Sequence, residues 1–468
     1  MKYYQRVWIL CLMLIALLMG MHFLPRITVF GITLKKVNLL SDLFPDTPDV
    51  SDKEYDDAFA SLHALSSSAK SGSCPKGVTC IEDYSTALQG GMPDFYQKLI
   101  RLSDETSDSA TVRSSSQVRI AFFGDSFIEG DILTGDLRDM LQQHFGGSGV
   151  GFVDMASQTA GFRQTVTAHS KQIIRHSATD SAFQKNHLGI NSRYFKPLPG
   201  SAMLTLATTD YGRCTRKVHQ SQLFLTTHVP LQVSARINNA VQQKFQLPAS
   251  SSVQCVTAKG DIEKITWMMQ ADSSQSDRIT LYGATMDNPR GVVLDNFSLR
   301  GSTGSNLLQI PEKNIRDFGS LRPYDLIVLH FGLNAIAENS TREDVSRYGR
   351  TLDRIIIRLK ELMPHTPILM VSVSDRDVRR TDGSLTTMPP IRWLVREQQQ
   401  VAMQHKIAFW NLYQAMGGSG SMGHMAAQSP PLANKDYTHL NFRGGRKIAK
   451  KLYEALLHAV EQEQNHLQ

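Results

Sequence analysis

The sequence predicts an α/β fold on a five-stranded parallel sheet, interrupted by an inserted β-sandwich. Three observations carry this. Five apolar runs, at residues 118–123, 292–297, 326–331, 368–373 and 407–411, have the length and composition of strands buried on both faces. The first four lead into helical spacing at 133–145, 305–318, 342–362 and, after a loop, 390–405, and a last amphipathic helix spans about 443–460. Such alternation of strand and helix builds a parallel sheet covered on both faces. Between the first two strands, residues 165–289 change character. Short alternating runs at 203–208, 223–227, 231–237, 265–269 and 278–282 are the pattern of two antiparallel sheets.

A chain of 468 residues exceeds one ordinary domain, so two or three are expected. Lys2 and Arg6 precede an apolar run from Val7 to Leu24 that Pro25 and Arg26 end. Its length suits a bilayer span, and no Ala-x-Ala-like site follows. Residues 1–24 therefore read as an uncleaved signal anchor, with a cleaved signal peptide as the alternative. The basic residues before the run imply a single pass of the inner membrane with the remainder on its extracytoplasmic or periplasmic side. Residues 25–116 read as a stalk and helical linker, with helices at 52–65 and 93–102 and a Ser-rich linker at 103–116. The discontinuous α/β domain then occupies 117–164 and 290–465.

Cysteine usage agrees with export. Cys74-Pro-Lys-Gly-Val-Thr-Cys80 is a tight loop for a local disulfide, and Cys214 and Cys255 are then expected to pair within the β-rich region; four unrelated thiols are the alternative. No spacing matches a metal site, and no metal or cofactor is expected. The net charge of +7 suits an anionic envelope polymer or membrane surface. Without a basic run interleaved with aromatics, nucleic acid is not an expected partner.

Three motifs carry chemistry: Gly124-Asp125-Ser126-Phe127, Gly332-Leu333-Asn334 and Asp436-Tyr437-Thr438-His439. Ser126 is a candidate nucleophile, His439 its base and Asp436 the group that orients the base. Asn334 carries a side-chain amide able to donate to an oxyanion. Ser126, Gly301 and Asn334 each follow one of the first three strands, and groups beyond the carboxyl ends of parallel strands converge. Each motif also has a bland explanation. Gly-Asp-Ser makes ordinary strand-to-helix turns, Asn tolerates left-handed turns, and His439 precedes a helix. Gly418-Ser-Gly-Ser-Met-Gly423 has dinucleotide-loop spacing, but no helix is expected to open from it, so it reads as a flexible loop. His424 within it reads as an incidental surface histidine.

With these motifs in this order, the chain resembles the SGNH (GDSL-like) hydrolase superfamily, in particular its peptidoglycan O-acetylesterase branch with an inserted carbohydrate-binding-like β-sandwich. The residues that carry the resemblance are 118–127, 144–152, 291–296, 300–304, 330–334 and 436–440. It implies a three-layer flavodoxin-like fold, with Ser126, Asp436 and His439 as the triad. It also implies an oxyanion hole from the Ser126 and Gly301 backbone N–H groups and the Asn334 amide. The implied activity is removal of O-acetyl groups from an acetylated envelope glycan, with peptidoglycan the expected one. The alternatives are an O-acetyltransferase served by a membrane acetyl-donor protein, or a non-catalytic glycan-binding scaffold.

Overall fold

The structure, a computed structural model, describes residues 74–85, 90–107, 116–216 and 218–468, with a few positions between 4 and 33. The chain divides into two compact units, Met1–Ser71 and Gly72–Gln468. In the first, Thr28–Val29 pairs antiparallel with Ile32–Thr33. Most of the predicted anchor, the 52–65 helix and residues 108–115 of the linker lie outside the described residues. Among those described, no helix is long and apolar enough to cross a membrane.

The second unit contains a sheet of five parallel strands in the order β2-β1-β3-β4-β5, where β1 is Gln117–Gly124, β2 is Gly291–Ser298, β3 is Leu326–His330, β4 is Ile368–Val371 and β5 is Ala408–Trp410. Register aligns Ser298 with Gly124 and His330 with Gly124, so three adjacent strands end at one level. Because β1 is flanked by strands from later in the chain on both sides, the connections diverge beside it. That divergence opens a crevice at the carboxyl ends.

The helices form two packed sets. In one, α1 (Met92–Ser107) and α2 (Thr134–Phe145) pack on the long C-terminal α8 (Phe442–Leu467). In the other, α3 (Glu312–Leu321), α4 (Arg342–Leu362) and α5 (Pro390–Gln404) follow one another. The 342–362 helix opens with a capping box between Thr341 and Asp344, which satisfies otherwise orphaned amides. The helix expected at 305–318 is split: Ser305–Gln309 is a 3-10 turn and Pro311 restarts the chain as α3, since its ring cannot continue a helix.

Three further departures from expectation have physical causes. Glu82–Asp83 adds an antiparallel edge strand to β5, and the Trp410 indole donates to the Thr79 carbonyl at 2.9 Å. The Cys74–Cys80 disulfide therefore sits beside the sheet edge rather than on a stalk. Helix α1 buries Met92, Phe95, Tyr96, Leu99 and Leu102, and its last turns use the first residues of the expected linker. The 418–423 segment does open a helix: α6 (Leu412–Met416) is followed by α7 (Ser421–Ala427), with left-handed Gly420 as its N-cap. Its first amides are taken by the carboxylates of Asp375 and Asp377, at 3.0 Å from Met422 N and 2.6 Å from Gly423 N. His424 is exposed on α7.

Residues 166–287 form two antiparallel sheets. One contains Ser250–Ile262, Val218–Thr227, Ile279–Asp287, Arg193–Pro197 and Ile173–Ser177, and the other Gln243–Leu247, Leu231–Ile237, Lys264–Ala271, Gly200–Thr208 and Val166–Lys171. Alternate residues of both enter a second apolar cluster around Trp267, Leu204, Val233 and Leu281. Gly149–Val153, upstream of the expected boundary at 165, also pairs with Ile279–Asp287. The expected Cys214–Cys255 disulfide does not form; both are thiols. Cys255 lies on a strand opposite Phe224, whereas Cys214 lies on a loop whose amide donates to Asp139 of α2. Burial pushes the Cys255 thiol up to about 11.

Buried ion pairs join the β-rich region to the parallel sheet. Arg322, fully buried, donates to Asp295 of β2 at 2.6 Å and to Asp287 at 2.7 Å, and Tyr324 adds a bond to Asp295 at 2.7 Å. Burial pushes the Asp295 carboxyl up, but Arg322 outweighs it and holds the group below the usual range. Such a network fixes geometry more than it adds net stability, and removing one partner strands a buried charge.

Candidate active site

Ser126 lies two residues beyond β1 and is half-buried. Its loop is held in place from below. Asp131, fully buried at left-handed φ 64, accepts from Arg138 of α2 at 3.0 Å, from Arg163 at 2.9 Å and from Thr165 at 2.5 Å. The Asn296 amide donates to the Ile128 carbonyl at 2.8 Å. The Ser126 loop is thus fastened both to the sheet and to the entry of the β-rich region.

His439 reaches this loop from the far end of the chain. A Cβ on Gly445 would stand 1.9 Å from the Ile132 carbonyl oxygen, so only glycine lets the start of α8 approach so closely. The preceding loop is closed by Asn434 N–H to the His439 carbonyl at 2.8 Å, with Tyr437 at left-handed φ 53. Tyr437 is clamped from outside: its carbonyl accepts from Asp377 N–H at 3.1 Å, and Arg379 donates to its hydroxyl at 3.0 Å.

The three residues meet as a relay. Ser126 Oγ is 2.9 Å from His439 Nε2, and His439 Nδ1 is 2.8 Å from Asp436 Oδ2. The other Asp436 oxygen accepts the Thr438 and His439 amides, each at 3.0 Å. Burial pushes the Asp436 carboxyl up, but the His439 side chain and these amides outweigh it and hold it below the ordinary value. An ionised carboxylate can only accept, so the imidazole proton belongs on Nδ1. Nε2 is left to accept from the serine hydroxyl.

The Ser126 and Gly301 backbone N–H groups, each just past the end of one of two adjacent strands, bond to no protein group among the described residues. Gly301 follows β2 at φ 74, and a Cβ there would meet nothing within 4 Å. Glycine is required here by the backbone conformation, not by crowding within the protein. Asn334 follows β3, and the positive φ of that turn, 138, falls on Gly332. Its Nδ2 donates to Asp125 Oδ2 at 2.8 Å and to the Ser302 carbonyl at 3.1 Å. Both amide hydrogens are engaged within the protein, so any further acceptor would have to compete with the longer bond, to Ser302.

Asp125 is a site residue that the sequence did not assign a role. It is 3% exposed, accepts Phe127 N–H at 2.9 Å with one oxygen and aims Asn334 with the other. Burial pushes its carboxyl up to about 6, against the opposing effect of these bonds and of His439. Its place in Gly-Asp-Ser was the available signal, but the partner is 209 residues away. The Arg379 clamp had no sequence signal at all.

No family model matches the chain, and no curated protein matches it by sequence. Among solved structures, a peptidoglycan O-acetylesterase aligns with a TM-score of 0.65 at 19% identity, covering 81% of this chain and 99% of that one. An acetyl xylan esterase aligns at 0.28, with 17% identity over 35% of this chain and 81% of that one. A family two carbohydrate esterase from Cellvibrio japonicus aligns at 0.26, with 10% identity over 64% and 99%. Only the first is close enough to compare whole architectures, and it does so over nearly its full length. The chain shares the fold of that peptidoglycan O-acetylesterase.

Proposed function

We propose that this protein is an SGNH-type serine esterase that removes O-acetyl groups from an envelope glycan, with peptidoglycan as the substrate. The Ser126–His439–Asp436 relay, beside backbone N–H groups at Ser126 and Gly301 that bond to no described protein group, carries the reading. The fold shared with a peptidoglycan O-acetylesterase supports it. In this reading residues 117–164 and 290–465 form a three-layer flavodoxin-like catalytic domain, 165–289 an inserted carbohydrate-binding-like sandwich, and residues 1–24 an anchor that holds both outside the cytoplasm.

Ser126 Oγ attacks the acetyl carbonyl carbon while His439 Nε2 takes the hydroxyl proton. The carbonyl electron pair moves onto oxygen, where Ser126 N–H, Gly301 N–H and the Asn334 amide receive it. One such donor is worth about 3–4 kcal/mol of barrier. Collapse breaks the ester bond to the sugar, whose oxygen takes the proton from His439. Water then attacks the acetyl-enzyme by the same route, releasing acetate and free serine.

The test is acetate release by the purified chain from O-acetylated peptidoglycan, with a mild-base-deacetylated sample as control, in the presence and absence of a sugar acceptor. Acetate release independent of acceptor supports the esterase. Acetyl transfer to the acceptor faster than to water replaces it with a transferase, and no turnover on any acetyl ester leaves a glycan-binding scaffold.

A further inference from the structure

A groove of about 430 Å³ opens directly beside the oxyanion loop and is unused by the mechanism above. Its lining includes Leu299 and Arg300, immediately before Gly301, and Glu129, three residues after Ser126. The lining also includes Arg175, Asp180 and Arg193 of the β-rich region, with Asp154 and the 157–159 loop. Its volume lies within the range of small-ligand sites.

The lining charges come in matched pairs. Arg300 holds Glu129 at 2.5 Å, Arg193 holds Asp154 at 3.2 Å, and Arg175 holds Asp180 at 3.2 Å. Three cations facing three carboxylates give no net field to attract an anion, and an incoming carboxylate would meet the oxygens of Glu129, Asp154 and Asp180. A hydroxyl group suits such a surface better. It accepts from a guanidinium and donates to the neighbouring carboxylate in one contact, and both bonds are charge-assisted.

We propose that this groove is a subsite for a neutral sugar ring next to the acetylated residue, bridging the two parts of the chain. The inference rests on the esterase reading for its location but is tested by binding alone. The groove recognises the polyhydroxyl face of the glycan strand and not a carboxylate-bearing peptide attached to it. Holding the neighbouring ring uses binding energy remote from the ester to raise turnover of polymer over small esters.

The test uses the full chain carrying Ser126→Ala, so that no substrate is consumed, titrated calorimetrically with a neutral β-1,4-linked N-acetylglucosamine tetramer. Arg175→Gln and Asp180→Asn, each checked for an unchanged melting transition, are each expected to weaken binding about tenfold. Arg300→Gln provides a third variant if either of those fails to fold. Absence of tetramer binding, or affinity unmoved by the variants that fold, overturns the subsite. Tighter binding of a carboxylate-bearing muropeptide to Asp180→Asn also overturns it, because losing a carboxylate helps only an anionic ligand. In the active chain, the ratio of kcat/KM on acetylated glycan to that on a small aryl acetate is expected to fall about tenfold in the same variants. Equal losses on both substrates make the groove structural. Failure of the wild type on every ester removes the esterase reading, while the titration still decides the subsite.

Discussion

Replacing Asp125 by asparagine separates what this carboxylate does for catalysis from what it costs the fold. The buried group binds its proton more tightly when folded, with its carboxyl raised from the ordinary 3.8 to about 6. Its contribution to stability is therefore fully present well below pH 3.8 and is lost as pH rises through about 6. The loss amounts to about 3 kcal/mol by pH 7. Asparagine does not titrate, so the stability of the variant minus that of the wild type should increase by about 2.4 kcal/mol between pH 4 and pH 7. Any constant penalty from altered hydrogen bonding cancels in that difference. A penalty is expected, because Phe127 N–H and the Asn334 amide need two acceptors and an asparagine side chain offers one. Asn334 is the partner free to rotate, so its aim at the oxyanion is expected to suffer, lowering kcat about 100-fold. Urea titrations at several pH values, with aryl acetate kinetics at pH 8, measure both. A stability difference that does not change with pH refutes the raised carboxyl, and kcat within twofold of wild type refutes the positioning role.

Ser126→Ala should lower esterase turnover by on the order of 10⁴–10⁶, with the melting transition moved by no more than about 0.5 kcal/mol; near wild-type turnover removes Ser126 from the mechanism. Gly301→Ala places a side chain at φ 74, with an expected cost of about 1–2 kcal/mol in denaturant titration and a fall in kcat; full activity would take the Gly301 amide out of the oxyanion hole. Non-reducing peptide mapping should show Cys74–Cys80 linked and Cys214 and Cys255 alkylated, Cys255 slowly because burial raises its thiol; a 214–255 crosslink contradicts the structure.

Apolar runs at 118–123, 292–297 and 326–331 located the strands observed at 117–124, 291–298 and 326–330, and helical apolar spacing located the helix at 342–362, because an element must carry apolar residues wherever it is buried. Ser126, Gly301 and Asn334 were legible for a related reason: parallel strands end together, and residues just past those ends converge. Asp436 and His439 were legible as a local motif, although nothing local says where they land. That is decided by Gly445 against Ile132 and by the Arg379 clamp on Tyr437, contacts between segments far apart in sequence. The same holds for the role of Asp125, for the engaged Asn334 amide and for the paired lining of the groove. Cysteine pairing failed for this reason too. A six-residue separation confines Cys74 and Cys80 to one loop, while Cys214 and Cys255 are placed by a helix contact and a strand register that no spacing encodes. The sequence by itself determined the periodic elements and the chemistry available at their ends. Tertiary structure alone decided which distant groups meet, because burial and long-range hydrogen bonds depend on pairs of residues that local patterning does not relate.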